Sequence, residues 1–251
     1  MLVTMSHKLP STKEVRNRIT QAEKEPLQMG LMYGFLIAGR ASEVVCKAYP
    51  SDKGTTPRGP FGRDFEVTEA RVNGDSFEVV VFNVKTSKRG GIPRSIGLPL
   101  DPDYEPWART LLNYFERFDE DDHVFPYTRQ ALFDSSKEVF KDDYVYPIEE
   151  YTTKVIDQSG FDELLIKVPQ SLKHLVRAPA YLRTETKVHR HTRTLRLHGA
   201  LRHHRLMELT QKFGFNREDR KVYAGHTMDV TDRYTHLDWR SYFPKLLIKS
   251  Y

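Results

Sequence analysis

Residues 65–84 read FEVTEARVNGDSFEVVVFNV, two runs rich in β-branched and aromatic residues on either side of Asn73-Gly74. Asn-Gly is typical of two-residue hairpin turns, because both residues tolerate a positive φ. The two runs are therefore predicted to pair as antiparallel strands. A polar loop that contains glycine follows at residues 85–91, and residues 92–100 have the composition of a third strand. The sequence predicts a small three-stranded antiparallel sheet with a basic loop between its second and third strands.

Helical patterns lie on both sides of this sheet. Before it, Ser11 and Glu14 have the spacing of a capping box, and apolar residues recur at helical spacing over about Glu25–Ala38. A short helix is predicted after Gly39. Further helices are predicted at about Tyr104–Phe118, Tyr127–Phe140, Tyr146–Gln158, Leu197–Phe213, Arg217–Ala224 and Val230–Asp238. Residues 169–194 fit no regular pattern and are predicted as loops or short elements. The predicted fold class is α+β, a mainly helical domain with one small sheet.

Composition narrows the class of protein. The chain has 251 residues, enough for one large domain or two small ones. No apolar run approaches the roughly 20 residues needed to cross a bilayer, and the first eight residues are too polar for a signal peptide. The single cysteine, Cys46, cannot form an internal disulfide and lies in an apolar stretch. We expect a protein of a reducing intracellular compartment with no membrane partner.

Charge is unevenly distributed along the chain, whose net charge is +5. The stretch 183–221 has 11 Lys and Arg against 4 Asp and Glu, whereas residues 101–150 have 14 acidic against 5 basic residues. Such segregation favours a phosphate-rich partner that binds the basic stretch. A charged surface without any partner is the alternative, and charge alone does not exclude it.

Four short blocks contain the residue types that phosphate chemistry needs. They are Ala38–Glu43 (AGRASE), Val84–Lys88 (VKTSK), Leu197–Arg205 (LHGALRHHR) and Gly225–His236 (GHTMDVTDRYTH). The planar guanidinium of arginine can donate two hydrogen bonds to the non-bridging oxygens of a phosphate. Each block alone is also typical of an ordinary charged surface. Together the blocks are candidates for a phosphate-binding site.

In this order the four blocks resemble those of the catalytic domain of tyrosine recombinases, the integrase family. The resemblance extends over about residues 9–240, so that 9–251 would form the catalytic domain and 1–8 a short N-terminal extension. The N-terminal helical domain that usually clamps the other side of the DNA is expected to be absent. The resemblance implies six catalytic residues, namely Arg40, Lys85, His198, Arg202, His226 and Tyr234.

The resemblance also implies the role of each residue. The two arginines would bind the scissile phosphate, and Tyr234 would be the nucleophile. His226 would either bind the same phosphate or assist proton transfer from the tyrosine. Lys85 would be the general acid that protonates the leaving 5′ oxygen, with Lys88 as the competing candidate. His198 stands four residues before Arg202, where the family has a histidine three residues before. Gly39 and Arg40 are one residue closer than in the family, as are His226 and Tyr234.

The implied activity is site-specific DNA cutting and rejoining through a 3′-phosphotyrosine, without a metal or ATP. The implied partner is double-stranded DNA, bound by a homo-oligomer, most simply a tetramer, that assembles through the apolar C-terminal tail around Tyr242–Ile248. Two alternatives share the fold: a type IB topoisomerase-like enzyme that relaxes DNA, and a non-catalytic DNA-binding protein. The histidine run around 189–204 has no nearby cysteine and no His-Glu-x-x-His pattern, so it does not favour a metal site.

Overall fold

The computed structural model describes residues 10–47, 58–85, 93–140, 151–156, 183–189, 197, 199–225 and 238–249. These residues fall into two compact units. The larger unit contains residues 10–140 and 197–249, with all the helices described below. The smaller unit contains the described residues 151–156 and 183–189.

The predicted three-stranded sheet is confirmed. β1 (Phe65–Val72), β2 (Asp75–Val84) and β3 (Arg94–Pro99) form an antiparallel sheet in the order β1-β2-β3. The turn between β1 and β2 has φ of 53° at Asn73 and 97° at Gly74, the left-handed conformations that this dipeptide tolerates. Buried residues of β2, from Val79 to Phe82, place this part of the sheet within the core.

Among the described residues, five helices of the larger unit precede residue 140. They are α1 (Thr12–Thr20), α2 (Glu25–Leu36), α3 (Ala41–Val44), α4 (Ala108–Phe115) and α5 (Arg129–Val139). The predicted capping box at the start of α1 is present, with Glu14 N donating to Ser11 Oγ at 3.2 Å. α2 is buried from Met29 to Leu36. A helix that is apolar on every side belongs in a protein core.

Aromatic rings join α2 to the sheet. The Tyr33 ring lies 5.4 Å from the rings of Phe82, Phe115 and Phe125. Burial raises the pKa of Tyr33, so its hydroxyl stays neutral. Aromatic pairs at these spacings contribute about 0.5–1.5 kcal/mol each beyond their buried area. This cluster fixes the end of α2, and therefore the position of the segment that follows it.

The C-terminal part of the larger unit begins with a π-helical turn (Gly199–His203). α6 (His204–Gln211), α7 (Arg217–Ala224) and α8 (Trp239–Leu246) follow. The prediction of one continuous α-helix over Leu197–Phe213 is therefore corrected at its first turn. Across the described residues, no helix combines the length and the apolar character needed to cross a bilayer.

The C-terminal helix α8 packs against its own chain. Tyr242, Phe243 and Leu246 are buried, Tyr242 Oη donates to Ser95 O at 3.4 Å, and the Phe243 and Phe77 rings lie 6.4 Å apart. These three side chains are therefore already covered by residues of the same chain, and the contact of this segment with a neighbouring subunit stays a prediction.

The smaller unit contains an antiparallel pair of strands, β4 (Tyr151–Ile156) and β5 (Arg183–His189). The helix predicted over Tyr146–Gln158 is wrong where β4 lies. β4 reads YTTKVI, and its β-branched threonines, valine and isoleucine lose side-chain freedom in a helix but fit a strand. β5 was not predicted as a regular element.

Candidate phosphate-binding site

Arg40 lies in the short connection between α2 and α3. Its backbone N donates to Glu43 Oε2 at 3.0 Å, and its Nη1 donates to Glu43 Oε1 at 3.0 Å. Glu43 is buried, whereas the Arg40 side chain is 27% exposed. Glu43 therefore holds one edge of the guanidinium while part of the group stays accessible to a ligand. The turn that sets this geometry contains Ala38, whose φ is 46°.

Arg202 is in the π-helical turn and is 3% exposed. Its Nη1 donates to Ala38 O and its Nη2 donates to Ala224 O, both at 2.8 Å. These acceptors are neutral carbonyls, so they orient the guanidinium without balancing its charge. Burial, and then the neighbouring charge of Arg40, lower the pKa of Arg202 to about 10. A bound anion would relieve both effects.

Arg94, at the start of β3, is a third arginine in the same cluster, and sequence reasoning missed it. Its Nε donates to Tyr223 O at 2.8 Å, and its Nη2 donates to Ile37 O at 3.1 Å and to Glu43 Oε2 at 3.2 Å. The available signal was one arginine at the start of an otherwise apolar strand, RSIGLP. Such a residue is conspicuous because lone arginines are rarely buried without partners.

The described side chains of this cluster have an excess of positive charge. Arg40 and Arg94 pair with the carboxylate of Glu43, and Arg202 is close enough to feel the charges of all three groups. Burial alone would raise the pKa of Glu43, but Arg94, the Arg40 amide and the Arg40 charge lower it overall. Glu43 is therefore ionised, and the cluster still lacks negative charge. A phosphate diester would supply it.

A second buried ionic cluster, in which charges are balanced, serves as an internal comparison. Its members are Arg16, Glu105, Arg205 and Glu208, linked by ion pairs, with Tyr223 Oη accepting from Arg205. Two cations face two carboxylates, as expected of a purely structural network. Arg205 is fully buried here. Part of the basic stretch 183–221 therefore lies in the interior rather than on a surface.

Lys85 follows the last residue of β2. Its Nζ lies 2.6 Å from Asp64 Oδ2 and 4.6 Å from the centre of the Phe61 ring, and its side chain is 39% exposed. Val84 is the cross-strand partner of Arg94, so Lys85 leaves the sheet one residue beyond Arg94. The register of the sheet thus places the backbone of Lys85 next to the residue that pairs with Arg94, while Asp64 pairs with the Lys85 ammonium group.

The remaining predicted site residues, His198, His226 and Tyr234, lie outside the described residues, as does Lys88. Their neighbours are described. Gly225 ends α7 with a φ of 58°, directly before His226. His204, near His198, has a structural role, because its ring nitrogens lie 2.7 Å from Gly199 O and 3.1 Å from Pro10 O.

The structure thus brings together Arg40 and Arg202, adds Arg94, and positions the segment that leads to His226. Among the residues that the structure describes, no group of three His, Cys, Asp or Glu could hold a metal ion. Comparison with protein-family models, with curated protein sequences and with solved structures finds no match.

Proposed function

We propose that this chain is a tyrosine recombinase that cuts and rejoins double-stranded DNA, with Tyr234 as its nucleophile. The observation that carries the proposal is the hydrogen bond from Arg202 Nη1 to Ala38 O, two residues before Arg40. Arg40 and Arg202 are far apart in the sequence, and the family resemblance assigns both to one site. In the structure they belong to one cluster. That cluster has more positive than negative charge.

The chemistry follows from this charge. An in-line attack on a phosphodiester passes through a pentacoordinate phosphorus, whose extra negative charge the arginines would stabilise. The Tyr234 oxygen forms a bond to phosphorus as the bond from phosphorus to the 5′ oxygen breaks. The tyrosine proton passes to a base, for which His226 is the candidate, and Lys85 protonates the leaving oxygen. The product is a 3′-phosphotyrosine and a free 5′-hydroxyl.

Rejoining is the same step in reverse. A 5′-hydroxyl from another strand attacks the phosphotyrosine, and the tyrosine leaves. Because the covalent intermediate conserves the phosphodiester bond energy, neither a metal nor ATP is required. Strand exchange between two duplexes needs several copies of the chain on the DNA, so the proposal includes a homo-tetramer.

Trapping of the covalent intermediate tests the proposal. The substrate is a library of randomised duplexes, each with one nick, and the position of the nick varies across the library. A duplex whose nick lies close to the cleaved bond loses a short 5′-hydroxyl fragment after cleavage and cannot be rejoined. We expect the wild-type protein to retain DNA after denaturation, and Tyr234→Phe to retain none. Tyr104→Phe is the matched control and should trap as much DNA as wild type. Sequencing of the trapped DNA would identify the target site.

The outcomes separate the related functions. DNA binding without a trapped adduct would replace the proposal with a non-catalytic DNA-binding protein. Trapping without sequence preference, together with relaxation of supercoiled DNA, would indicate a topoisomerase-like enzyme. Adduct formation by Tyr234→Phe would show that another residue is the nucleophile.

A further inference from the structure

Arg94 is outside the set of catalytic residues that the family resemblance implies, yet it lies buried within the candidate site. Its side chain is 5% exposed, against 27% for that of Arg40. Arg202 donates to main-chain carbonyls in its described hydrogen bonds, whereas Arg94 also pairs with a carboxylate of the same chain, that of Glu43. The contribution of Arg94 to the site must pass through the groups that it binds.

Those groups belong to three separate segments. Ile37 O lies just after the end of α2, Glu43 is in α3, and Tyr223 O is in the last turn of α7. A single planar guanidinium in β3 therefore joins the segment that contains Arg40 to the segment that leads to His226. The rigid fork of arginine suits this function, since its donors have a fixed relative geometry.

Glu43 transmits the position of Arg94 to Arg40. Its Oε2 accepts from Arg94 Nη2 and from the Arg40 amide, while its Oε1 accepts from Arg40 Nη1. Without Arg94 this buried carboxylate would lose one of the groups that orient it. The Arg40 guanidinium would then lose its fixed position relative to Arg202.

One further observation argues against a purely stabilising role. Arg94 Nη1 is buried and has no hydrogen-bond partner in the described part of the chain. An ideal Cβ on Gly225 would lie only 2.8 Å from this atom. A buried charged donor without a partner costs free energy. Arg94 therefore packs directly against Gly225, the residue before His226, at a cost in stability.

We propose that Arg94 is a positioning residue that holds Arg40, through Glu43, and the end of α7, through Tyr223, in one arrangement around the scissile phosphate. This inference rests on the proposed function and extends it to a residue outside the predicted catalytic set. It requires that substitution of Arg94 slows adduct formation by displacing Arg40, and not by weakening the binding of DNA.

A double-mutant cycle tests this coupling. Arg94→Lys keeps the charge but loses the fork, and the readout is the single-turnover rate of adduct formation at saturating DNA. Because a misplacement of about 1 Å can cost about 100-fold, we expect a roughly 10- to 100-fold slower rate with an unchanged Kd for DNA. In an Arg40→Lys background the further loss should be less than about threefold. Arg71→Lys, an exposed arginine on β1, is the control and should have no effect.

Equal losses in both backgrounds, or a weaker Kd that accounts for the slower rate, would overturn the proposal. If Arg94→Lys does not fold, Glu43→Gln replaces it in the same cycle, with the same expected coupling to Arg40. A second measurement does not depend on Tyr234: stabilisation against heat by inorganic phosphate. It should weaken in Arg94→Lys and in Arg40→Lys, without further loss in the double variant. Absence of a wild-type adduct alongside this coupling would refute the proposed function but retain the positioning role.

Discussion

At the scale of single residues, the acceptors of each cation distinguish the site from the core. Arg205 faces carboxylates, whereas Arg202 faces only main-chain carbonyls among its described hydrogen bonds. Carbonyl acceptors hold a guanidinium in place but leave its charge available to an anion. Lys85 is different, because its ammonium group already has an anionic partner, Asp64, within the chain. Under the proposed function, DNA would compete with Asp64 for this lysine.

Asp64→Asn should release Lys85 toward DNA. The amide keeps the volume of the side chain and an oxygen for the Phe61 amide, which donates to Asp64 Oδ2 at 2.9 Å. We expect tighter DNA binding and a steeper salt dependence, by roughly 0.9 in the slope of log K against log salt for one additional phosphate contact. Fluorescence anisotropy over a salt series measures both. Asp64→Asn combined with Lys85→Met should restore the original slope, and a slope unchanged in Asp64→Asn would contradict the competition.

At the scale of elements, the ends of α2 and α7 converge on the arginine cluster. Ala38 O and Ala224 O accept from the two ends of the Arg202 guanidinium, and Ile37 O and Tyr223 O accept from Arg94. The carbonyls at the end of a helix have no partners within it, and they attract cations. Two helix ends therefore build the frame of this site, and their geometry determines its geometry.

Gly225→Ala should lower the free energy of unfolding by more than the strain of its left-handed backbone alone. A left-handed conformation costs a residue with a Cβ about 1–2 kcal/mol. The added Cβ would also lie 2.8 Å from Arg94 Nη1. Gly214→Ala is the matched control, because its φ of 64° is similar and no atom lies within 4 Å of the added Cβ. Urea unfolding should show a larger loss for Gly225→Ala, and equal losses would exclude a contribution from the Arg94 contact.

The packing of α8 is also testable by substitution. Phe243 is 1% exposed, and its ring lies 5.5 Å from that of Trp239. Phe243→Ala should lower the free energy of unfolding by about 3–5 kcal/mol, the range for truncation of a buried aromatic residue. Ile248→Ala is the control, because that side chain is 45% exposed. A change in sedimentation without a loss of stability would instead indicate that this face binds a second copy.

At the scale of the whole molecule, the charge-balanced cluster of Arg16, Glu105, Arg205 and Glu208 stabilises the unit that contains the arginine cluster. Arg16 in α1 pairs with Glu105 before α4 and with Glu208 in α6, so one cluster connects the N-terminal and C-terminal parts of the larger unit. Burial alone would raise the pKa of Glu208, but Arg16 and Arg205 lower it from about 4.5 to about 2. The charge of Glu208 therefore contributes to global stability.

The sign of this shift sets the dependence of stability on pH. A carboxylate with a lowered pKa in the folded state stabilises the fold above its unfolded pKa and loses that contribution as pH falls to its folded pKa. We expect the free energy of unfolding to fall between about pH 4.5 and pH 2. Glu208→Gln should lower stability at pH 7 by about 3–5 kcal/mol and flatten this decline. Glu66→Gln, an exposed control, should do neither, and an unchanged decline in Glu208→Gln would refute the assignment.

Local patterns were sufficient to predict several elements. The Asn73-Gly74 turn and its flanking strands, the capping box at Ser11 and the extent of α7 required only neighbouring residues, and all three agree with the structure. The β-branched run 151–156 was a local signal too, but the helical pattern assumed around it concealed the strand. Arg40 and Arg202 could be predicted as one site because their motifs resemble those of the tyrosine recombinase family.

The sequence by itself determined the α+β class and the three-stranded sheet, because these depend on periodicity and turn chemistry, and its resemblance to a family of known motifs singled out Arg40 and Arg202. Only the tertiary structure decided that Arg94 joins these arginines, that Asp64 pairs with Lys85 and that α8 packs on β3 of its own chain. The physical reason is that Arg94 and Arg202 bind main-chain carbonyls at two helix ends. Every residue has such a carbonyl, so no sequence pattern marks the ones that meet a guanidinium.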